Sequence, residues 1–357
     1  MAYDFLIIGG GIAGVSAAAR LAALGSTILI EAEDHFAYHA SGRSAALYEP
    51  NYGAPTVVNL SKAGAIYFSD AGVLSSRGIL MLGRPGEEEA LARDAASFAM
   101  EQISPEEALE KAEFIDASLI TRAAFSNGAK DIDTDALVRH FWRVAASQGA
   151  VARHAAPVRK ITRQRSKWEV TAGAESHRAK TIINAAGAWA DQIAALAQVP
   201  ALGLTPLRRS VARVPAPKGL DPSRWPMLFG PGESWYAKPD AGQLIVSPAD
   251  ETQSEPCDAA PTELALAEGI DQFARTTGYQ PRRITARWAG LRTFAPDRTL
   301  VIGRDPGQPD FFWLAGQGGY GFQTSAGASA LAADLIAGRD PDLPKATVKA
   351  LAPDRLR

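Results

Sequence analysis

The sequence contains a single cysteine, Cys257, among 357 residues, so no disulfide can form within the chain. It also lacks an uninterrupted apolar run of about 20 residues, the length that a membrane-spanning helix requires. The net charge is −2 and no long basic run occurs, so the composition gives no support for binding nucleic acid or an anionic membrane.

Two further signals are missing. No CxxC motif occurs and His154 has no partner at metal-ligand spacing, so we expect no metal site. No basic segment precedes the first apolar run, so we expect no secretory signal and a cytoplasmic protein.

The N-terminal segment has the pattern of a strand, a helix and a second strand. Phe5 to Ile8 is a short apolar run, Ala13 to Ala23 is rich in alanine, and Thr27 to Ile30 is apolar again. A strand, a helix and a strand within about 30 residues form a βαβ unit, whose two strands are parallel in one sheet. The pattern therefore predicts an α/β domain.

A glycine motif stands between the first strand and the helix, as Gly9-x-Gly11-x-x-Gly14. In such a motif the first glycine permits a tight turn, the second lets a pyrophosphate approach the backbone, and the third lets the helix pack on the strand. Glu31 ends the second strand, where its carboxylate can accept hydrogen bonds from the hydroxyls of an adenosine ribose. Together these residues predict a dinucleotide site.

Later segments are read from the same kinds of pattern. Thr134 to Ser147 and Gly321 to Ala337 have the composition of helices. Residues 208–250 contain short alternating runs separated by Pro and Gly, which predict an antiparallel sheet in a separate layer. The tail after Arg339 is rich in proline and charge, and we expect it to be loosely held.

Two segments favour FAD over a nicotinamide cofactor. In the run ASGRSAA, residues 40–46, we expect Ser41 to cap a helix that begins with Gly42, Arg43 and Ser44 and forms a second anion site. In the run AGQGGYGFQTS, residues 315–325, a glycine-rich turn enters a helix whose start can stabilise negative charge on a reduced flavin. A nicotinamide enzyme has no need of the second element.

These segments together resemble the D-amino acid oxidase and glycine oxidase superfamily of flavoproteins. The resemblance rests on FLIIGGGIAG, SGRSAALY, APV at 156–158, INAAGAWAD at 182–191, WAGLRTF at 288–294 and GQGGYGFQTS at 316–325. ESWYAKPDAG at 233–242 and DIDTDAL at 131–137 are similar to the bacterial D-arginine dehydrogenases in particular. The matching segments follow one another in order along nearly the whole chain.

The resemblance implies an α/β fold of two domains: a Rossmann-type FAD-binding domain and a mixed-sheet substrate domain. The FAD-binding domain would be assembled from residues 1–50, 130–205 and 285–345. The substrate domain would comprise residues 51–129 and 206–284, and residues 346–357 would form a tail.

The glycine motifs and the resemblance imply one set of cofactor-binding residues. These are Gly9, Gly11, Ile12, Ala13, Gly14, Glu31, Ala32, Ser41, Gly42, Arg43, Ser44, Ala45, Ala46, Val158, Ala185, Gly187, Trp189, Gly290, Gly318, Gly319, Tyr320, Gly321, Phe322 and Gln323. We expect FAD to be bound non-covalently, because the only thiol, Cys257, lies in an acidic loop far along the chain from every flavin motif.

The resemblance also implies the residues that meet the substrate. Arg292 matches the arginine that binds the substrate carboxylate, Tyr236 the tyrosine that shares this task, and Arg209 a further arginine of the D-arginine dehydrogenases. A guanidinium suits this task because it holds a carboxylate in a plane by two parallel hydrogen bonds. We expect Tyr52 and Tyr320 to close the pocket.

The sequence departs from the D-arginine dehydrogenases at two polar pocket positions. Where those enzymes have a histidine this chain has Leu47, and where they have a glutamate that meets the substrate guanidinium it has Ile79. We therefore expect oxidative deamination of an amino acid, a D-amino acid with an apolar side chain. Glu49 lies nearby in the sequence and would restore a negative charge if it faced the pocket.

Other readings stay open at this point. A related flavoenzyme could act on N-methylamino acids or 2-hydroxy acids, and a flavin-binding scaffold could lack catalysis altogether, although paired arginines with a tyrosine argue against a scaffold. The residues do not determine the electron acceptor, which could be oxygen, a quinone or another compound.

Overall fold

The computed structural model describes residues 2–357, in which two large β-sheets carry helices on their outer faces. The strands in chain order are β1 (Ala2–Ile8), β2 (Thr27–Ile30), β3 (Leu47–Tyr48), β4 (Leu74–Ser76), β5 (Ile79–Gly83), β6 (Glu101–Ile103), β7 (Arg122–Ser126), β8 (Lys130–Ile132), β9 (Val151–Arg153), β10 (Val158–Gln164), β11 (Lys167–Ala172), β12 (Glu175–Asn184), β13 (Thr205–Pro215), β14 (Met227–Phe229), β15 (Tyr236–Asp240), β16 (Gln243–Ser247), β17 (Thr252–Gln253), β18 (Ala286–Phe294), β19 (Val301–Arg304) and β20 (Phe311–Ala315).

The α-helices are α1 (Ile12–Leu21), α2 (Pro55–Ala63), α3 (Ala65–Asp70), α4 (Glu88–Ser97), α5 (Pro105–Lys111), α6 (Thr134–Ser147), α7 (Ala190–Leu196), α8 (Glu263–Thr277), α9 (Gly321–Ala337) and α10 (Lys345–Leu351). The structure confirms the predicted βαβ unit and both predicted helices, α6 and α9. Among the described residues, no helix is both long and apolar enough to cross a membrane.

The first sheet has a parallel centre, in which β12, β1, β2 and β9 are neighbours and β20 lies parallel to β12. The apolar side chains of β1 and β2 are buried on both faces, as expected of a parallel sheet covered on both sides. Helices α1, α6 and α9 cover one face and α7 covers the other. The parallel strands end at one edge, so the segments after β1, β2, β12 and β20 meet there.

The second sheet has nine strands and is antiparallel except where β14 runs parallel to β5. Within residues 208–250, β13, β15 and β16 form the predicted antiparallel layer. Helices α5 and α8 pack on one face of this sheet around a core that includes Trp235 and Phe273. The other face carries Arg209, Tyr236 and Arg292 of the candidate site.

Two segments pack against a different sheet from the one expected for their predicted domain. Strand β18, which was expected in the FAD-binding domain, pairs along its whole length with β13 of the second sheet, from Thr205 opposite Phe294 to Arg213 opposite Ala286. Helices α2 and α3, expected in the substrate domain, pack on α9 of the first. Strand pairing depends on the partner available in space, and chain order alone did not reveal it.

The C-terminal tail is packed rather than loosely held, contrary to the prediction. Helix α10 lies against α2 and β19, its residue Leu351 is fully buried, and Thr347 accepts a hydrogen bond of 2.7 Å from Asn59. Arg355 forms an ion pair with Asp297. The prolines and charges that suggested a mobile tail instead begin its helical segments and attach it to the first domain.

Leu351→Ala is therefore expected to lower the free energy of unfolding by about 2–5 kcal/mol, the usual loss when a fully buried leucine is truncated. Equilibrium denaturation in urea would measure the change. Leu264→Ala is the matched control, because Leu264 is 70% exposed and its loss should change the value by about 0.5 kcal/mol or less. An unchanged midpoint for Leu351→Ala would show that the tail contributes no packing.

Candidate active site

Two adjoining cavities, of about 340 and 130 Å³, follow the edge where the parallel strands of the first sheet end. We call them the nucleotide cavity and the flavin cavity. Both are bordered by Gly11, Ser41 and Arg43, and by Ala185 and Gly187, which follow β12. The crevice outside the carboxyl ends of parallel strands is where open α/β sheets bind their ligands.

The glycines of the N-terminal motif have the geometry expected of them. Gly9 has φ +104°, a conformation that glycine adopts without strain. A Cβ atom on Gly14 would lie 1.8 Å from the carbonyl oxygen of Gly9, so no larger residue fits between α1 and the turn. Gly11, which precedes α1, has no side chain to cap the helix, and the first turn of a helix leaves N–H groups free to bind an anion.

Ser41 corrects the sequence interpretation, which made it the cap of its own helix. Residues Ala40–Arg43 form only a 3₁₀ turn with no side-chain cap, and the hydroxyl of Ser41 instead accepts a hydrogen bond of 3.0 Å from the backbone N–H of Ile12 in α1. The serine therefore caps the phosphate-facing helix from 29 residues away. A local capping rule cannot find such a contact, because the unpaired donor belongs to another element.

Arg43 ties the 3₁₀ turn to the second sheet. Its guanidinium donates to the carbonyl oxygens of Ala289, at 2.8 Å, and Ala259, at 3.0 Å, and it forms an ion pair with Asp258. Gly42 borders neither cavity, and a Cβ there would lie 2.2 Å from the carbonyl oxygen of Ala37. The predicted second anion site is thus a packed connection between the two domains rather than an open helix start.

Glu31 borders the nucleotide cavity and is nearly buried. Its two carboxylate oxygens accept backbone hydrogen bonds from Gly10, at 2.6 Å, and Glu33, at 2.9 Å. These bonds hold the carboxylate in place, and each oxygen has further lone pairs for a hydroxyl donor. The residue therefore fits the ribose-binding role.

Cys257 is not remote from the cofactor site, as its position in the chain had suggested. It is exposed at the rim of the nucleotide cavity, next to the Asp258 and Ala259 that Arg43 contacts. The loop that carries it is folded back over the first domain, which sequence distance does not show.

The predicted cofactor residues separate into four groups in space. The nucleotide cavity is bordered by Gly9, Gly11, Glu31, Ala32, Ser41, Arg43, Val158, Ala185, Gly187, Trp189 and Gly290. The flavin cavity adds Ile12, Ala13, Ser44, Ala45, Gly318, Gly319, Gly321 and Phe322. Ala46 and Gln323 border a third cavity, Tyr320 borders its outer opening, and Gly14 and Gly42 are packing positions.

The start of α9 faces the flavin cavity. Tyr320 precedes the helix without capping it, so the N–H groups of its first turn are available to a ligand. Gly318 has φ +53°, and a Cβ there would lie 2.3 Å from the ring of Phe294. The start of α1, which Ser41 caps at one N–H group only, the uncapped start of α9 and the Glu31 carboxylate lie along one groove and fit a long anionic dinucleotide such as FAD.

The third cavity, which we call the substrate chamber, adjoins the flavin cavity through the side chains of Arg209, Tyr236 and Arg292. Arg209 on β13 and Arg292 on β18 come from paired strands, in which Arg209 lies opposite Gly290 and Leu207 opposite Arg292. The two guanidinium groups therefore project from the same face of the sheet. Arg208 points to the other face and lies 4.0 Å from Asp250, as the alternation of a strand requires.

Arg292 has no acceptor for its guanidinium among residues 2–357, whereas Arg209 contacts Glu251 at 3.3 Å. Burial lowers the pKa of Arg292, but Tyr236, Tyr52 and Glu233 nearby outweigh this effect and raise the pKa above its ordinary value. The group is therefore a fixed cation that no carboxylate of residues 2–357 contacts directly. Such a group is suited to bind a carboxylate in two parallel hydrogen bonds.

Aromatic side chains stand at the mouth of the substrate chamber. The hydroxyl of Tyr52 donates a hydrogen bond of 2.6 Å to Glu233, and its ring stacks on Phe98 and meets Tyr320 edge-on. Burial, and next the charge of Glu233, raise the pKa of Tyr52 well above its ordinary value, so the phenol stays a donor.

Away from the arginines, the tyrosines and Glu233, much of the wall of the substrate chamber is apolar. Leu47 and Ile79 border it, and Phe98, Met227, Phe229 and Trp235, which the sequence interpretation missed, complete it. Those four come from scattered segments and had no motif to mark them, although Trp235 adjoins Tyr236. Among the described residues no group of three His, Cys, Asp or Glu could hold a metal ion.

Glu49 also borders the chamber and is only 3% exposed. Its Oε1 accepts a hydrogen bond of 3.0 Å from the N–H of Asn51, while its Oε2 has no partner in the described part of the chain. Burial raises the pKa of this carboxyl group above its ordinary value. The structure thus places a polar group with one free oxygen on the apolar wall.

Comparison with known proteins assigns the fold and the family. The chain is 23% identical to L-proline dehydrogenase from P. horikoshii over 99% of this chain and 97% of that one, with a TM-score of 0.84. It is 21% identical to glycine oxidase from Geobacillus kaustophilus over 97% of both chains, with a TM-score of 0.83. At these identities the likeness concerns the fold.

A curated D-amino acid dehydrogenase from Cereibacter sphaeroides is 40% identical over 72 residues, which is 19% of this chain and only 16% of that protein. The family model described as FAD dependent oxidoreductase (DAO) matches residues 4–335. That match covers both sheets and the three cavities. The chain therefore belongs to the DAO family of FAD-dependent oxidoreductases.

Proposed function

We propose that this FAD-dependent oxidoreductase catalyses the oxidative deamination of a free α-amino acid, with preference for the D enantiomer and an apolar side chain. The observation that carries the proposal is the unpaired Arg292 guanidinium, which stands where the flavin cavity and the substrate chamber meet. A substrate carboxylate would supply the counter-ion that the protein lacks.

Bound FAD would supply a hydride acceptor at flavin N5, which is the chemistry that side chains cannot provide. The residues of the chain orient the substrate. Arg292 holds the carboxylate in a plane, Arg209 adds a second positive charge, and Tyr236 is placed to donate a further hydrogen bond from the same chamber. Such fixed orientation of the Cα–H bond is the main requirement of the reaction.

Removal of the Arg292 charge is the direct test. Arg292→Met should lower kcat/KM at least 100-fold with FAD still bound, because charge-assisted hydrogen bonds contribute about 1.5–3 kcal/mol each and about 1.4 kcal/mol corresponds to tenfold. Steady-state assays with D-methionine and a dye acceptor would measure it. Arg208→Met, on the opposite face, should stay near the wild type, and near-normal turnover by Arg292→Met would remove this residue from the mechanism.

We further propose that FAD is bound non-covalently. The flavin cavity is bordered by no cysteine or histidine, and Cys257 lies at the rim of the nucleotide cavity instead. Acid precipitation of the holoenzyme should therefore release FAD into the supernatant, where its absorbance measures it. Flavin that stays with the pellet would contradict the proposal, and mass spectrometry of peptides would then locate the bond.

Glu49 supports a second candidate for the substrate class, an amino acid whose side chain ends in a cation or another hydrogen-bond donor. The free Oε2 would accept such a group, whereas an apolar side chain would leave it unpaired. Leu47 and Ile79 favour the apolar class, because an apolar substrate side chain buried against them is stabilised by about 25 cal/mol per Å². Burial also raises the pKa of Glu49 and so favours its neutral form, which costs less than the ionised form to leave unpaired.

The two classes predict opposite results. With an apolar pocket, kcat/KM for D-methionine or D-leucine should exceed that for D-arginine at least tenfold, and L-methionine should react far more slowly than its enantiomer. If Glu49 binds a cation, D-arginine should be favoured and should lose this advantage in Glu49→Gln. Only the ionised carboxylate pairs with a cation, so that advantage should also rise as the pH passes upward through the raised pKa of Glu49.

Related reactions have the same requirement for an anchored carboxylate. An N-methylamino acid would release methylamine, a 2-hydroxy acid would be consumed without ammonia, and a non-catalytic flavoprotein would keep its oxidised spectrum with every substrate. Anaerobic bleaching of the flavin by each compound, followed by ammonia analysis, separates these cases. The same reduced protein mixed with air or with a quinone would identify the acceptor class.

A further inference from the structure

The short turn Ser44–Ala46 lies between the flavin cavity and the substrate chamber. Ser44 and Ala45 border both the flavin cavity and the substrate chamber, and Ala46 borders the chamber. Ala46 has φ +25°, in the left-handed region that residues other than glycine seldom adopt, and its N–H donates to the hydroxyl of Ser44 at 3.1 Å. A strained turn of this kind persists only if its surroundings hold it.

Lys238 of β15 supplies that hold from the second sheet. It is only 9% exposed, and its ammonium group donates to the carbonyl oxygen of Ala45, to that of Ala46 at 3.4 Å and to a carboxylate oxygen of Asp131 at 3.0 Å. Three acceptors match the three protons of the group. Lys238 is two residues after Tyr236 in β15, so both side chains project from the same face of the strand. Tyr236 reaches the substrate chamber and Lys238 reaches the turn.

The charge of Lys238 is only partly neutralised. Asp131 is shared with Arg77, whose guanidinium donates to it at 2.7 Å and also to the carbonyl oxygens of Ser223 and Trp225. Two cations thus share one buried carboxylate, and the remaining positive charge is satisfied by backbone carbonyls. Part of the positive charge of Lys238 is therefore stabilised by the carbonyl oxygens of the turn and not by the ion pair with Asp131.

We propose that Lys238 is a positioning residue, which fixes the strained Ser44–Ala46 turn and so sets the shape of the boundary between the FAD site and the substrate chamber. This inference rests on the family and not on the amino acid that the enzyme oxidises. In Lys238→Met the turn would lose both of its lysine bonds and relax.

Lys238→Met is expected to raise the dissociation constant of FAD at least tenfold, to shift the visible flavin spectrum and to lower kcat at least tenfold while KM changes less than threefold. Fluorescence titration of the apoprotein, absorption spectra and steady-state kinetics measure these quantities. Asp131→Asn is the matched control, because it breaks the same ion pair but leaves the bonds of Lys238 to the turn. It should keep FAD affinity within threefold.

If the lysine only stabilised the fold through its ion pair, both variants would lose melting temperature alike and neither would change FAD affinity or spectrum, which would overturn the proposal. If Lys238→Met fails to fold, the FAD affinity of Lys238→Arg tests the proposal instead. A guanidinium keeps the pair with Asp131 but cannot place one ammonium between two carbonyls. It should still weaken FAD binding at least threefold, and an unchanged constant would equally reject the inference.

Discussion

The long antiparallel pairing of β13 with β18 is the interaction on which the site depends. It joins nine residues of each strand, from Thr205–Phe294 to Arg213–Ala286. Gly290 on β18 borders the nucleotide and flavin cavities, while Arg209 and Arg292 reach the substrate chamber. A slip of one residue would turn both arginines to the opposite face, so the register of this pair determines whether a carboxylate site exists.

Keeping two like charges close together in a partly dry chamber has an electrostatic cost. Burial and the neighbouring Arg292 lower the pKa of Arg209, and the protein compensates with Tyr236, Tyr52 and Glu251 around it. Tyr236 and Tyr52 also raise the pKa of Arg292, but no carboxylate of residues 2–357 forms an ion pair with it. The repulsion between the two arginines therefore destabilises the second sheet, as is common where a functional site is formed in advance of its ligand.

The βαβ unit was predicted correctly from the sequence because its signals are local. The strand, glycines, helix and terminal acid of the βαβ unit lie within one short segment, and each predicts its neighbour's geometry. Prediction from the sequence failed where a contact joins distant segments. The bond from Ser41 to α1, the pairing of β18, the packing of the tail and the position of Cys257 all depend on which elements meet in space. The apolar chamber wall was missed for the same reason.

The exposed position of Cys257 also determines how thiol reagents would act on this enzyme. As the only thiol in the sequence, it directs every alkylating or thiol-reactive dye to the rim of the nucleotide cavity. Because Cys257 borders neither the flavin cavity nor the substrate chamber, inactivation by such a reagent would not indicate a catalytic cysteine. A fluorophore attached there without further mutagenesis would report on the rim of the nucleotide cavity.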